Sequence, residues 1–228
     1  LATEAKSRRS TIYFVSGLGA DWRAFQFLRL PPDQPYQHVP WIAPDSINEP
    51  LQEYARRLAV QITDPNPILI GLSFGGVTAI ELAKILHPKK VILISSLSTS
   101  RALPWYYRLM GLLRMHRYTP MSLLRSLHPI APLLFGARSD YEKKLLKEYI
   151  LTTNETYLRW ALGQLLNWKQ ATVWPGLVHI HGTADRILPL RDRPDIIKIK
   201  GGEHLMITHR FDEINVILNR ILEEIQQV

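Results

Sequence analysis

The segment Gly71-Leu72-Ser73-Phe74-Gly75-Gly76 limits the fold of this chain more than any other. It follows the apolar run Ile68–Leu72 and leads straight into a stretch where Val77, Ile80, Leu82, Ala83 and Leu86 mark the apolar side of a helix. A buried strand that passes into a helix through so short a link needs a very sharp turn at Ser73. Side chains two residues either way would collide in such a turn, which accounts for Gly71 and Gly75. The turn lifts Ser73 Oγ clear of the sheet and sets it at a helix N-terminus, where unpaired N–H groups and the positive dipole end favour negative charge. A plain Gly-rich strand-to-helix turn is the alternative.

The same rhythm runs along both ends of the chain. Ile12–Val15 reads as a buried strand that ends in the loop Ser16-Gly17-Leu18-Gly19. Asp21 is placed to cap a short helix over Trp22–Leu28, and Gln37–Ile42 reads as a weak edge strand broken by Pro40. Ser46 with Glu49 forms a capping-box pattern ahead of a helix whose face is Leu51, Tyr54, Ala55, Leu58, Ala59 and Ile62. Val91–Ser95, Leu177–His181 and Ile196–Lys200 are further strands. Phe211, Ile214, Ile217, Leu218, Ile221, Leu222 and Ile225 give the last helix a 3.6-residue period. Fully apolar strands alternating with helices imply an α/β fold, a small, mostly parallel sheet of about six strands with helices on both faces. Residues 98–170 hold only helical patterns, such as Tyr141–Ile150 and Thr156–Trp168. They are expected to form an inserted helical cap between core segments 1–97 and 171–228.

Two later motifs complete a chemistry. A serine nucleophile near neutral pH needs a general base, and an imidazole base needs a carboxylate that fixes its tautomer. His181-Gly182-Thr183-Ala184-Asp185 puts Asp185 just beyond a strand's C-terminal end, where open α/β sheets bind ligands; Asp192 and Asp195 lie further into the loop. Gly201-Gly202-Glu203-His204 follows the next strand and completes the order Ser, Asp, His. His209, which begins the final helix, is the nearest competitor, and Glu203 reads as solvated. Acyl transfer also needs donors for the developing oxyanion, which the N–H groups of Phe74 and, from the first loop, Leu18 can supply.

With these elements in this order the sequence resembles the α/β-hydrolase family over most of its length. The resemblance implies Ser73 as nucleophile, Asp185 as acid, His204 as base, Leu18 and Phe74 as oxyanion donors, and the helical cap. It implies no metal or organic cofactor. Ser16 stands where many members carry a histidine, the first strand begins already at residue 12, and a serine nucleophile argues against a dehalogenase, where the family uses aspartate. The expected activity is cleavage of a carboxylic ester or thioester through an acyl-enzyme. C–C bond cleavage or non-hydrolytic chemistry on the same scaffold, and a ligand-binding protein with a slow or vestigial triad, are the alternatives.

Composition narrows the partners. Of 228 residues 46% are hydrophobic and 21% charged, enough for a large core, and the absence of Cys removes disulfides and thiolate chemistry. The longest charge-free stretch, Pro65–Ile80, carries two Pro and three Gly and falls short of the roughly 18 apolar residues of a spanning helix, so a soluble chain is expected; a chain without Cys suits either side of a membrane, and the compartment stays open with the cytoplasm favoured. The sequence starts at Leu1 rather than Met, which suggests a segment removed or never included. The net charge is +8, and residues 101–170 hold eleven Lys or Arg against four acids. Without a long basic run or a known nucleic-acid motif, nucleic acid is not the expected partner. The cap has two apolar stripes, Leu103, Trp105, Tyr106, Leu109, Leu112, Leu113 and then Tyr157, Trp160, Ala161, Leu165, Trp168. Either they pack on each other and the core beneath a solvated basic face, or they line an acyl pocket at Trp105, Leu109 and Trp160. In the second case the basic rim would draw in an anionic or carrier-bound substrate or an anionic surface.

Overall fold

The computed structural model describes residues 9–191 and 195–227. Its core is one sheet of β1 (Ile12–Val15), β2 (Tyr36–His38), β3 (Ile68–Leu72), β4 (Lys90–Ile94), β5 (Val178–Gly182) and β6 (Ile196–Ile199). The spatial order is β2-β1-β3-β4-β5-β6, and every neighbouring pair is parallel. Alternate side chains on a strand leave by opposite faces, so the sheet feeds two cores. Tyr13, Val15, Leu69, Val91 and Leu93 pack with α1 (Leu51–Ala59) and α2 (Phe74–Leu86). Ile12, Phe14, Ile70, Ile92, Ile94 and Ile180 pack on the opposite face.

Strand β2 follows β1 in the chain on one side, and β3 then pairs with β1 on the other. The chain reverses its direction of travel between β1 and β3, and open α/β sheets bind ligands at such a point, outside the strands' C-terminal ends. Ser73 leaves β3 at that point.

Between β4 and β5 the chain forms α3 (Trp105–Leu112), α4 (Met115–Tyr118), α5 (Met121–Ser126), α6 (Ala131–Phe135), α7 (Asp140–Thr152) and α8 (Glu155–Asn167). After β6 come the short α9 (Met206–His209) and α10 (Phe211–Gln226), whose Ile214, Leu218, Ile221, Leu222 and Ile225 are buried on the second face.

Several local expectations need correction. The capping box at Ser46 does not form, because α1 starts at Leu51 behind Pro50. Glu49 instead turns back to accept from Asp45 N (2.7 Å) and from Arg57. The turn capped by Asp21 is only a 3-10 helix over Trp22–Phe25. Asn215 of α10 takes the backbone that would have extended it, accepting from Arg29 N and donating to Phe27 O. Strand β2 stops at His38, two residues before Pro40, which has no N–H to pair. Helix α2 has no solvent face over its first ten residues, Phe74–Ala83. Trp168 covers its outer side and donates to buried Glu81 (2.8 Å). Among the described residues no helix is long and apolar enough to cross a membrane.

Candidate active site

Ser73 has φ 52° and ψ −121°, a backbone that an L-residue holds only when its surroundings fix it. Ser73 N donates to Ile94 O at 3.0 Å, and Ser96 Oγ donates to Ser73 O. A Cβ on Gly71 would collide with the backbone of Gly75 and Gly76, and one on Gly75 with the carbonyl oxygens of Val15 and Ser16. These glycines allow the turn to nest against β1.

Ser73 Oγ lies 2.9 Å from His204 Nε2, and His204 Nδ1 lies 2.8 Å from Asp185 Oδ2. A carboxylate only accepts, so Nδ1 carries the proton and donates, and Nε2 is left to accept from the serine hydroxyl. Asp185 Oδ1 accepts from the N–H groups of Ile187 (2.9 Å) and Leu188 (2.8 Å). Burial alone would raise the Asp185 pKa. Electrostatic attraction to His204, together with hydrogen bonds from His181 and His204, outweighs burial and holds the carboxyl well below the usual carboxylate range. A hydroxyl, an imidazole and an ionised carboxylate in hydrogen-bonded series can pass a proton off the serine as it attacks.

The loop after β1 flanks this series. Ala20 N donates to Gly17 O at 3.0 Å with Gly19 at φ 69°, and Ser16 Oγ closes the turn by donating to Ala20 O at 2.6 Å. A Cβ on Gly17 would fall 3.6 Å from Ser73 Cβ. Phe74 opens α2, so its N–H has no acceptor within the helix. Leu18 and Phe74 therefore belong to the two segments on either side of Ser73.

The rival acids and bases lie elsewhere. Asp192 falls outside the described residues. Asp195 precedes β6 at the strand end opposite His204. His209 ends α9 and faces Glu142 (3.1 Å) and Glu203 (3.6 Å). Glu203 is not simply solvated, because it pairs with Arg138 at 3.0 Å. The three apolar positions differ in exposure. Trp160 is fully buried, donates to Glu49 O at 2.8 Å and packs on Tyr54 and Phe74, whereas Trp105 is 66% exposed and Leu109 is also exposed.

Three residues enter the site without having been singled out in the sequence. His181 Nε2 lies 2.8 Å from Leu188 O and 3.3 Å from Asp185 Oδ2. Trp41 donates to Gly17 O at 3.2 Å and stacks on Phe74. The Phe135 ring stands edge-on to His204 with centroids 5.4 Å apart, and Phe135 O accepts from Leu205 N. Only His181 carried a signal, as one of two imidazoles, with His179, in a short strand.

Among curated protein sequences none matches this chain. Solved structures share its fold at low identity. A candidate lipase from Acinetobacter baumannii AYE superposes with a TM-score of 0.70 at 14% identity, covering 97% of this chain and 86% of its own. A thermophilic esterase from Thermogutta terrifontis gives 0.64 at 16%, covering 95% and 90%. The meta-cleavage product hydrolase of Pseudomonas fluorescens IP01 gives 0.62 at 17%, covering 94% and 91%. The sequence itself matches the alpha/beta hydrolase family over residues 12–215, from the first strand into the last helix. A match of that extent, on the same fold as these structures, means that the chain belongs to the alpha/beta hydrolase family.

Proposed function

We propose that this protein is a serine hydrolase that cleaves a carboxylic ester or thioester through an acyl-enzyme. The observation that carries the reading is the series Ser73 Oγ–His204 Nε2 at 2.9 Å and His204 Nδ1–Asp185 Oδ2 at 2.8 Å, built on a serine at φ 52°. Ser73 Oγ attacks the carbonyl carbon while His204 Nε2 takes its proton. Asp185 holds the imidazole in the productive tautomer and stabilises the imidazolium. The N–H groups of Phe74 and Leu18 donate to the oxyanion, and His204 then protonates the leaving alcohol or thiol. Water, deprotonated by the same histidine, releases the acid and restores Ser73.

The helices between β4 and β5 act in this reading as the cap. Phe135 of α6 packs on His204, and Arg186 beyond Asp185 donates to Leu133 O at 2.8 Å, so the segment touches both loops of the proton relay. Support also comes from relatives described as a lipase and an esterase; a third, a meta-cleavage product hydrolase, uses the same scaffold for other chemistry.

The test is labelling with a fluorophosphonate, followed by a series of p-nitrophenyl esters and acyl thioesters of graded chain length. Labelling that disappears in Ser73→Ala, with ester turnover reduced by about five to six orders of magnitude, is the expected result. A folded wild-type protein that neither labels nor turns over any ester would defeat the reading and favour a binding protein.

A further inference from the structure

The 39 residues from Arg101 to Ser139 contain six arginines and not one Asp or Glu. The same stretch carries most of the apolar surface. Of the nineteen large hydrophobic side chains exposed among the described residues, twelve lie between Trp105 and Leu134. Scattered exposed leucines need no explanation, but a concentration of this kind marks an interaction surface.

Helix α3 is apolar on its solvent side as well as on the side where Tyr107 packs against the core. Trp105, Leu109 and Leu112 follow the i, i+4, i+7 pattern of a single helix face and all are exposed, Leu112 at 77%. The closely packed side is Gly111, where a Cβ would meet Leu166 O. An apolar stripe at this spacing normally faces the core. The exposure continues along the next helices at Tyr118 (79%), Leu123 and Leu133. Arg108 and Arg114 are exposed between these residues and have no carboxylate partner among the described residues. Beside α3 a cavity of about 220 Å³ places Arg101, Arg108 and Lys169 around one concavity with Trp168.

We infer that residues 101–134 form a docking surface for an anionic lipid bilayer, on which these short helices lie in the interface. Three observations favour a bilayer over a protein partner. The apolar side chains are spread over four separate helices of four to eight residues. Lipid receives such a set without needing a complementary shape. Aromatic rings beside guanidinium groups suit the headgroup level, with leucines reaching the acyl boundary. A stretch without a single carboxylate meets no repulsion from an anionic leaflet, and the basic cavity fits a headgroup phosphate. The segment ends at Phe135, against His204, so a seated bilayer lies next to the candidate site.

The experiment uses the whole chain carrying Ser73→Ala, which keeps the vesicles intact and separates binding from turnover. The protein is sedimented with phosphatidylcholine vesicles and with vesicles that also contain phosphatidylglycerol, at low and high salt. Retention on the anionic vesicles alone, lost with salt, is expected. Arg108→Gln and Arg114→Gln should each weaken it about fivefold, and Leu112→Gln should weaken it with the far-ultraviolet circular dichroism unchanged. Binding should also shift tryptophan emission to the blue, and the shift should shrink in Trp105→Phe. Absence of binding to anionic vesicles would overturn the inference, as would binding indifferent to all these substitutions. A stoichiometric complex with an acidic protein, or a dimer that buries Leu112, in place of vesicle binding would also overturn it. Vesicle binding by a protein whose wild type hydrolyses no ester would leave this inference standing and remove only the hydrolase reading.

Discussion

His181 donates towards the same carboxylate oxygen of Asp185 that His204 uses, with Nε2 3.3 Å from Oδ2 against 2.8 Å for His204 Nδ1. Leu188 O, 2.8 Å from His181 Nε2, can only accept, which puts the proton on that nitrogen. His179 Nε2, 3.0 Å from His181 Nδ1, then donates to it. His181 thus helps to hold the carboxylate that holds His204.

Replacing His181 with Ala is therefore expected to lower kcat for a p-nitrophenyl ester by about ten- to a hundredfold, the range seen when a group orienting a functional ligand is lost. KM should change little, because His181 is buried and its reach to the substrate runs through Asp185 and His204. His181→Gln, whose amide nitrogen can occupy the place of Nε2, should recover part of the rate. A loss that appears in KM alone, or a glutamine variant no better than alanine, would assign His181 to packing.

Glu142 joins the inserted helices to the segment carrying His204. Its carboxylate accepts from Arg138 N and Ser139 N, each at 2.7 Å, and from Thr208 Oγ1 and His209 Nδ1. Burial would raise its pKa, but these hydrogen bonds prevail and hold it below the ordinary glutamate value. A depressed folded pKa contributes stability above the unfolded value of about 4.3, and that contribution is lost as pH falls through the lower folded value. Glu142→Gln sets an amide N–H₂ against donors and is expected to cost about 1–3 kcal/mol at pH 7. Urea unfolding of both proteins should show the gap closing in acid. A gap that stays constant with pH would mean that the charge on Glu142 contributes nothing.

Much of this architecture was legible because it is local. β1 and β3 coincide with the apolar runs Ile12–Val15 and Ile68–Leu72, and the serine turn between strand and helix follows from glycines two residues either side. The features that escaped depend on contacts between distant segments. Pro50 displaced the capping box because Glu49 was taken by Arg57, and α2 lost its polar face because Trp168 returns from 87 positions away. Trp41 and Phe135 have no motif, and their roles exist only once loops from four strands meet. The two apolar stripes looked alike in sequence. Yet Tyr157, Trp160 and Trp168 close the core, while Trp105 and Leu112 face solvent.

The serine turn allows a direct comparison of two glycines. In Gly75→Ala the new methyl meets the Val15 and Ser16 carbonyls, which are backbone atoms of β1 and the loop that follows it. It should lose at least about 3 kcal/mol or fail to fold. In Gly17→Ala the methyl finds its nearest neighbour, Ser73 Cβ, at 3.6 Å, an ordinary contact. Its stability should stay within about 1 kcal/mol of wild type. Thermal unfolding of the pair measures this, and an unperturbed Gly75→Ala would show that β1 does not press on the turn.

Trp41 reaches both proposed oxyanion donors at once. Its indole N–H donates to Gly17 O at 3.2 Å, fixing the peptide ahead of Leu18, while its ring stacks on Phe74 with centroids 5.7 Å apart. Trp41→Phe keeps an aromatic ring for the stack and removes the N–H. With Gly17 O then held by Ala20 N alone, the Leu18 N–H should drift from the place where the oxyanion forms. Complete loss of one such donor costs about a hundred- to a thousandfold, so a misplaced one is expected to cost about tenfold in kcat. Because the oxyanion exists only in the transition state, kcat and kcat/KM should fall together with KM nearly unchanged. Steady-state kinetics on a short-chain p-nitrophenyl ester make the distinction. A raised KM with kcat intact would place Trp41 against the bound substrate and leave the oxyanion donors to be held by the Ser16–Ala20 turn alone.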